Sequence, residues 1–318
     1  MVMAEASVLS SHTAGADKKM GKIIDSSYTL QERMLFTSIP LCALGLTGNG
    51  IVLWLLCCKI NMKLKLYFLS VAVANLIIIF CNFVIVVLYF TQIYPSLMFQ
   101  RVMQILHICG YDTSFYLFTA ITVERCLNVF VPVWYQYHRP NNFSATVCSV
   151  LWGLSFILSF VDYYACSPRF QVDFHTFVVA CRTSTIIDTV IELFIFLPSL
   201  LCCTLAIWIR MQKREPGTAP ARLDITIVAV VLLILILNTP VRTAHIMTFW
   251  TYRIDRYMLN NISLLMDSLN STCNPFVYFF VGNWKRQKSS ESILMFLERA
   301  LKAEELKAER TKGGQEQA

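Results

Sequence analysis

Charge is what this chain has least of. Asp, Glu, Lys and Arg make up 15% of its 318 residues against 56% hydrophobic side chains. A soluble domain carries about 25% charged residues, so an integral membrane protein is expected. None of the 12 cysteines forms a CxxC pair, which argues against a zinc site. Most of them, including Cys42, Cys81, Cys109 and Cys202, lie inside apolar runs as small hydrophobes. HExxH, GxSxG and Walker-type loops are missing, as are paired acid and nucleophile arrangements, so neither enzyme chemistry nor a cofactor is expected. No basic, short-cored leader opens the chain, because residues 1–32 are polar and charge-balanced; the first apolar run is expected to act as its own signal. The net charge of +7 is scattered through the connections, which reads as membrane topology and not as a nucleic-acid surface.

What is there is a series of apolar runs. Seven are long enough to cross about 30 Å of hydrocarbon, at 35–58, 67–90, 102–131, 145–166, 177–209, 223–250 and 257–281. They do not alternate as barrel strands would, and helices satisfy every backbone group in lipid. The expected fold is an all-α membrane protein, a seven-transmembrane helix bundle with a short amphipathic C-terminal helix. Lys59, Lys63, Lys65, Arg139, Arg210, Lys213, Arg214 and Arg222 gather in the connections after spans one, three and five. The positive-inside rule then predicts an extracellular segment over 1–34, the bundle over 35–281 and a cytoplasmic tail over 304–318. Between bundle and tail, 282–303 mixes Trp284, Lys285 and Arg286 with Ile293, Leu294, Phe296 and Leu297, which fits a helix on the inner lipid surface or a solvated helical tail.

The third run closes on Glu124-Arg125-Cys126, an ion pair placed beside hydrocarbon. Gly48-Asn49-Gly50 stands in span one, Trp152 in span four, Pro198 in span five, Pro240 in span six and Asn274-Pro275-Phe276-Val277-Tyr278 in span seven. As an ordered set these resemble a rhodopsin-like G protein-coupled receptor. Thr119 to Leu127 running into Pro132-Val133-Trp134-Tyr135, and Tyr278-Phe279-Phe280-Val281-Gly282 followed by Leu297 to Leu301, resemble the Mas-related receptors. The resemblance covers about 36–303.

It implies a multi-pass plasma-membrane receptor with an extracellular ligand, a heterotrimeric G protein as transducer, arrestin as a further partner, and lipids around it. It implies that Arg125 rests against Glu124 when idle and engages the G protein when the bundle opens, with Tyr278 moving in behind. Gln100 stands where most rhodopsin-like receptors keep a cysteine. Position alone leaves Cys166 and Cys181 as a disulfide or two buried thiols; Mas-related receptors bridge these places, so the bridge is expected.

Ionisable side chains inside spans are functional hypotheses by default: His107, Asp112, Asp162, Arg182, Asp188, Glu192, Arg242, His245 and Asp267. Asp162, four residues before Cys166, matches an acid that meets cationic ligands in some Mas-related receptors; the second such acid is replaced by Thr185, with Asp188 about one turn farther on. Asp162 with Asp188 reads as a displaced cation pocket, or Asp188 and Glu192 clasp Arg182, Arg242 or His245. His107 stands where amine receptors keep an acid, which disfavours a monoamine; it also reads as a satisfied interior histidine. Span seven has no lysine, which excludes a retinal Schiff base.

Two further departures stand out. Asn75 replaces the aspartate that holds sodium in related receptors together with residues matching Ser114, Asn270 and Asn274, so sodium binding should weaken. Asp267 then reads either as that acid moved up span seven to serve as a ligand counter-ion, or as a hydrogen-bonded acid with no ligand. Asn238 occupies the usual tryptophan position of span six, leaving Pro240 as the source of a kink. Of three glycosylation sequons, only the one at Asn261 is topologically possible. A transporter using the intramembrane acids, or a receptor fold that has lost signalling, are the competing readings.

Overall fold

The structure, a computed structural model, describes residue 30 and residues 32–58, 64–140, 142–166, 173–213, 222–247 and 256–283. Every regular element among these is helical. Spans one to three are α1 (Glu32–Cys58), α2 (Lys65–Thr91) and α3 (Leu97–Phe130). A short helix α4 (Pro132–Tyr137) leads to span four, α5 (Phe143–Ala165). Span five is α6 (Phe174–Val190), a π-helical segment (Ile191–Phe196) and α7 (Leu197–Gln212). Span six is α8 (Arg222–Leu237) with α9 (Thr239–Met247), and span seven is α10 (Arg256–Asn283). The surface helix expected over 282–303 and the tail lie, past Asn283, outside the described residues.

Five of the spans are long and apolar enough to cross a bilayer by composition. The other two, α3 and α10, carry many of the polar residues of the interior. Their position explains how they tolerate them. From Cys109 to Thr119 every side chain of α3 is buried, so this helix is enclosed on all faces by protein and needs no lipid-facing stripe. The outer helices show the opposite pattern: Phe80, Phe194, Ile236 and Phe280 are exposed, as a hydrocarbon solvent allows. Gly110 lets α3 approach α2 closely, since a Cβ there would stand 3.1 Å from the Ala74 carbonyl oxygen. Tyr67 and Phe68 of α2, Tyr116 and Ile121 of α3, Val230 and Val231 of α8 and Tyr278 of α10 form one core.

Three prolines shape the helices by the hydrogen bonds they cannot donate. Pro275 lies inside α10, which frees the carbonyl of Ser271 one turn earlier. Asn49 fills the vacancy, donating from Nδ2 to that oxygen at 3.0 Å. Pro240 divides span six, where α8 ends and α9 begins on either side of Asn238. Pro198 opens α7 directly after the π segment, which closes through the Leu197 N–H on the Glu192 carbonyl. At the start of α6, Asp173 caps the helix by accepting from the Thr176 N–H at 2.6 Å, and that bond holds its carboxyl below the usual range.

Cys166 and Cys181 are bonded, with Cα atoms 4.4 Å apart. The bridge ties the end of α5 to α6; the first turn of α3 is capped by Ser96, while Gln100 Nε2 donates to the Pro95 carbonyl at 3.1 Å.

Candidate functional site

A cavity of about 1000 Å³ opens at the end of the bundle that carries the disulfide. Its wall includes Asp112, Asp162, Asp188, His107 and Arg242: three acids, one arginine and one histidine. Asp162 accepts a hydrogen bond from Ser184 Oγ at 3.3 Å, which fixes it across the α5–α6 seam beside the disulfide. Asp188 lies one turn beyond Ser184 and Glu192 one turn beyond that, where the π segment begins. Asp112 is 1% exposed, and among the described residues neither of its carboxylate oxygens has a hydrogen-bond donor; Asp188 Oδ1 and Glu192 Oε1 are also buried without one there.

Arg242 lies with its guanidinium carbon 3.5 Å from the centre of the Tyr111 ring, a cation–π contact. Its Nη2 stands 3.9 Å from Asp267 Oδ2, and His107 Nε2 stands 3.8 Å from the same oxygen. Asn238 donates to Asp267 Oδ1 at 3.1 Å and Ser263 donates to Oδ2 at 3.4 Å. Asp267, 2% exposed, is thus the hub of an internal network beneath the cavity and is not part of its wall. Asn238 and Arg242, one turn apart and flanking Pro240, both reach it. The missing tryptophan of span six is replaced by a hydrogen-bonded arm.

Toward the middle, Asn75 donates to Asn49 Oδ1 at 3.3 Å and accepts from Ser114 Oγ at 3.1 Å. A cavity of about 10 Å³ touches Ser114, Asn238, Asn270 and Ser271, room for a single water-sized molecule. The carboxylate that a sodium ion needs is replaced here by a neutral amide whose two ends are already engaged, so the residues present do not fit that ion. Asn274 is fully buried.

At the opposite end the charges are matched. Arg125 donates through Nε and Nη2 to Asp224 Oδ1 at 3.2 and 2.7 Å, joining α3 to α8. Glu124 pairs with Arg139 at 2.7 Å and accepts from the Tyr135 hydroxyl at 3.1 Å. This corrects the expectation that Arg125 rests on Glu124. Neighbouring helix residues project about 100° apart, so Arg125 turns to span six while Glu124 turns to the α4 connection. Burial, and then the Glu124 carboxylate, raise the Tyr135 phenol above its ordinary range, so it stays a donor. Tyr278, also buried here, meets Phe68 edge-on with ring centres 5.8 Å apart.

Of the other expected residues, Trp152 is half-buried on α5 and Pro198 is exposed on α7. Asn261 is corrected as a glycan acceptor: its amide nitrogen is buried and it faces Leu35 and Asn82 of spans one and two. Asp224 and Arg139 were missed as partners. An acid in the first turn of an otherwise apolar span six was the available signal for the first.

A bundle of seven spans, with an arginine latch at one end and a charged cavity at the other, defines a seven-transmembrane receptor, and the rhodopsin family of such receptors matches residues 48–278. The chain belongs to that family, in its Mas-related branch. It is 33% identical over 265 residues to the Proto-oncogene Mas of Rattus norvegicus, covering 82% of this chain and 81% of that protein. It is 31% identical over 271 residues to Mas-related G-protein coupled receptor member X1 of Homo sapiens, covering 81% and 79%. Member D of Mus musculus is 29% identical over 284 residues, covering 85% of each. The chain is therefore a multi-pass membrane receptor and not an enzyme.

Proposed function

We propose that this receptor binds a positively charged extracellular ligand in the cavity at the disulfide end and activates a heterotrimeric G protein at the Arg125 end. The amino terminus is then outside and the carboxyl terminus inside, as the basic connections require. The observation that carries the reading is the bidentate Arg125–Asp224 pair, which closes span six over span three at the end opposite the cavity. Between the two lies the Pro240 break, with Asn238 and Arg242 both directed at Asp267. A ligand charge in the cavity changes the field on Arg242, and any shift of Arg242 acts on the hinge it flanks. The chain then has two packings biased by differential ligand contacts. In the open one Arg125 is released to a G protein α-subunit and Tyr278 moves toward it.

The test is nucleotide exchange on a panel of purified G proteins with the receptor in membranes. Asp224→Asn should raise ligand-free exchange and Arg125→Ala should abolish it. If Asp224→Asn leaves exchange at the background of empty membranes for every G protein tried, the signalling reading fails.

A further inference from the structure

The acids of the cavity are arranged at two levels. Asp162 is level with Ser184, to which it is hydrogen-bonded at 3.3 Å. Glu192 lies eight residues farther along the same span, and its carboxyl rests against that of Asp112. Two carboxyls in contact satisfy each other only by sharing a proton, which a cation would displace, and no other described residue donates to either Asp112 oxygen. Asp112 is nevertheless 1% exposed while lining the cavity. Burying a carboxylate beside a second one without a donor is costly. Arg242 is the nearby cation and its charge reaches both acids, but its face is spent on Tyr111 and among the described residues the carboxylate within 4 Å of it is that of Asp267.

We infer that the cavity has a second, inner cation subsite, with Asp112 as the contact and Glu192 behind it, and that its ligand carries two positive charges separated by up to about 12 Å, the helical rise over the eight residues from Ser184 to Glu192. A linear polyamine or a short peptide with two basic groups has this form. Asp162 receives the outer charge, Asp112 the inner one, and Asp188 lies halfway along the path between them. The π segment is what presents Glu192 here: the extra residue in that turn rotates its side chain behind Asp112. The inference rests on the receptor reading only in taking the cavity as the ligand site.

Its test is binding without any G protein. Receptor in lipid nanodiscs is titrated calorimetrically with octamethylenediamine, whose span matches, with putrescine, which is too short, and with octylamine, which has the same chain and one charge. Octamethylenediamine should bind at least about tenfold tighter than either, a 1.4 kcal/mol difference. Asp112→Asn and Glu192→Gln should each bring the diamine toward the octylamine affinity while octylamine itself is unchanged; Asp162→Asn should weaken both. Equal binding of octylamine and the diamine, or a diamine affinity untouched by both inner variants, overturns the inference. Ligand-free exchange by Asp224→Asn keeps the two proposals separable. Exchange without diamine binding sinks only the inner subsite, and diamine binding without exchange sinks only the signalling reading.

Discussion

The two ends of the bundle handle buried charge in opposite ways. At the Arg125 end each acid has a guanidinium within 2.7 Å, Arg125 for Asp224 and Arg139 for Glu124. Among the described residues Glu124 Oε2 is the one carboxylate oxygen at that end that is buried without a donor, whereas at the cavity end both oxygens of Asp112 and one each of Asp188 and Glu192 are, and none of these three acids has a guanidinium within 4 Å. A matched pair stabilises one packing, because separating its members leaves two charges exposed to a low dielectric. A surplus of one sign raises the energy of the empty state and makes any compensating ligand more welcome. On the proposed function, the first end opens and the second is filled.

The largest effect that would sharpen this contrast comes from cutting a matched pair on one side. Asp224→Asn should remove the carboxylate that holds Arg125 against span six, cost about 3 kcal/mol or more in the closed packing, and raise ligand-free exchange about tenfold or more. A basal rate equal to wild type would remove the latch from the account. Next is Arg139→Ala. It should lower the thermal midpoint of the receptor in detergent, and a double-mutant cycle with Glu124→Gln should give a coupling of about 1–3 kcal/mol; additive losses would mean that the pair contributes nothing. The sign should reverse at the cavity. Asp112→Asn should raise thermal stability by about 1 kcal/mol, as relief of an uncompensated buried charge does, while the diamine loses affinity. If that variant is instead destabilised as strongly as Asp224→Asn, the two ends are alike and the comparison collapses. Smallest is the restoration of the missing acid. With the Asn49 amide oxygen and the Ser114 hydroxyl already facing position 75, Asn75→Asp should create a sodium-dependent stabilisation of about 1 kcal/mol, absent in wild type and absent when choline replaces sodium.

The seven spans were legible because a membrane helix must announce itself with about 20 residues of apolar sequence. Even α3 and α10, whose hydropathy is diluted by polar residues, were readable from what flanks them. The disulfide was not readable from spacing alone and came from the resemblance. Partners were the illegible part. Glu124 and Arg125 are adjacent in sequence, and adjacency suggested a pair; helix geometry sends them to different neighbours, and those lie 99 residues away for Arg125 and 15 for Glu124. Asp267 shows the same limit. Its place on the face shared with Ser271, Asn274 and Tyr278 followed from helical spacing, but its engagement by Asn238 from the sixth span depends on where Pro240 lets that helix turn. Sequence periodicity fixes which face a residue takes, and tertiary packing decides what stands opposite.

The π turn at Ile191–Phe196 has a meaning in genetic terms. Removing a single codon there would convert it to an ordinary α-helix, leave the seven spans and the disulfide in place, and rotate the residues ahead of it by about 100° relative to Pro198. Glu192 would swing away from Asp112, and the charge pattern offered to a ligand would change in one step. On the proposed inner subsite, a lineage carrying this receptor could retune what it detects by a one-residue insertion or deletion in the membrane, without a point substitution in the cavity wall.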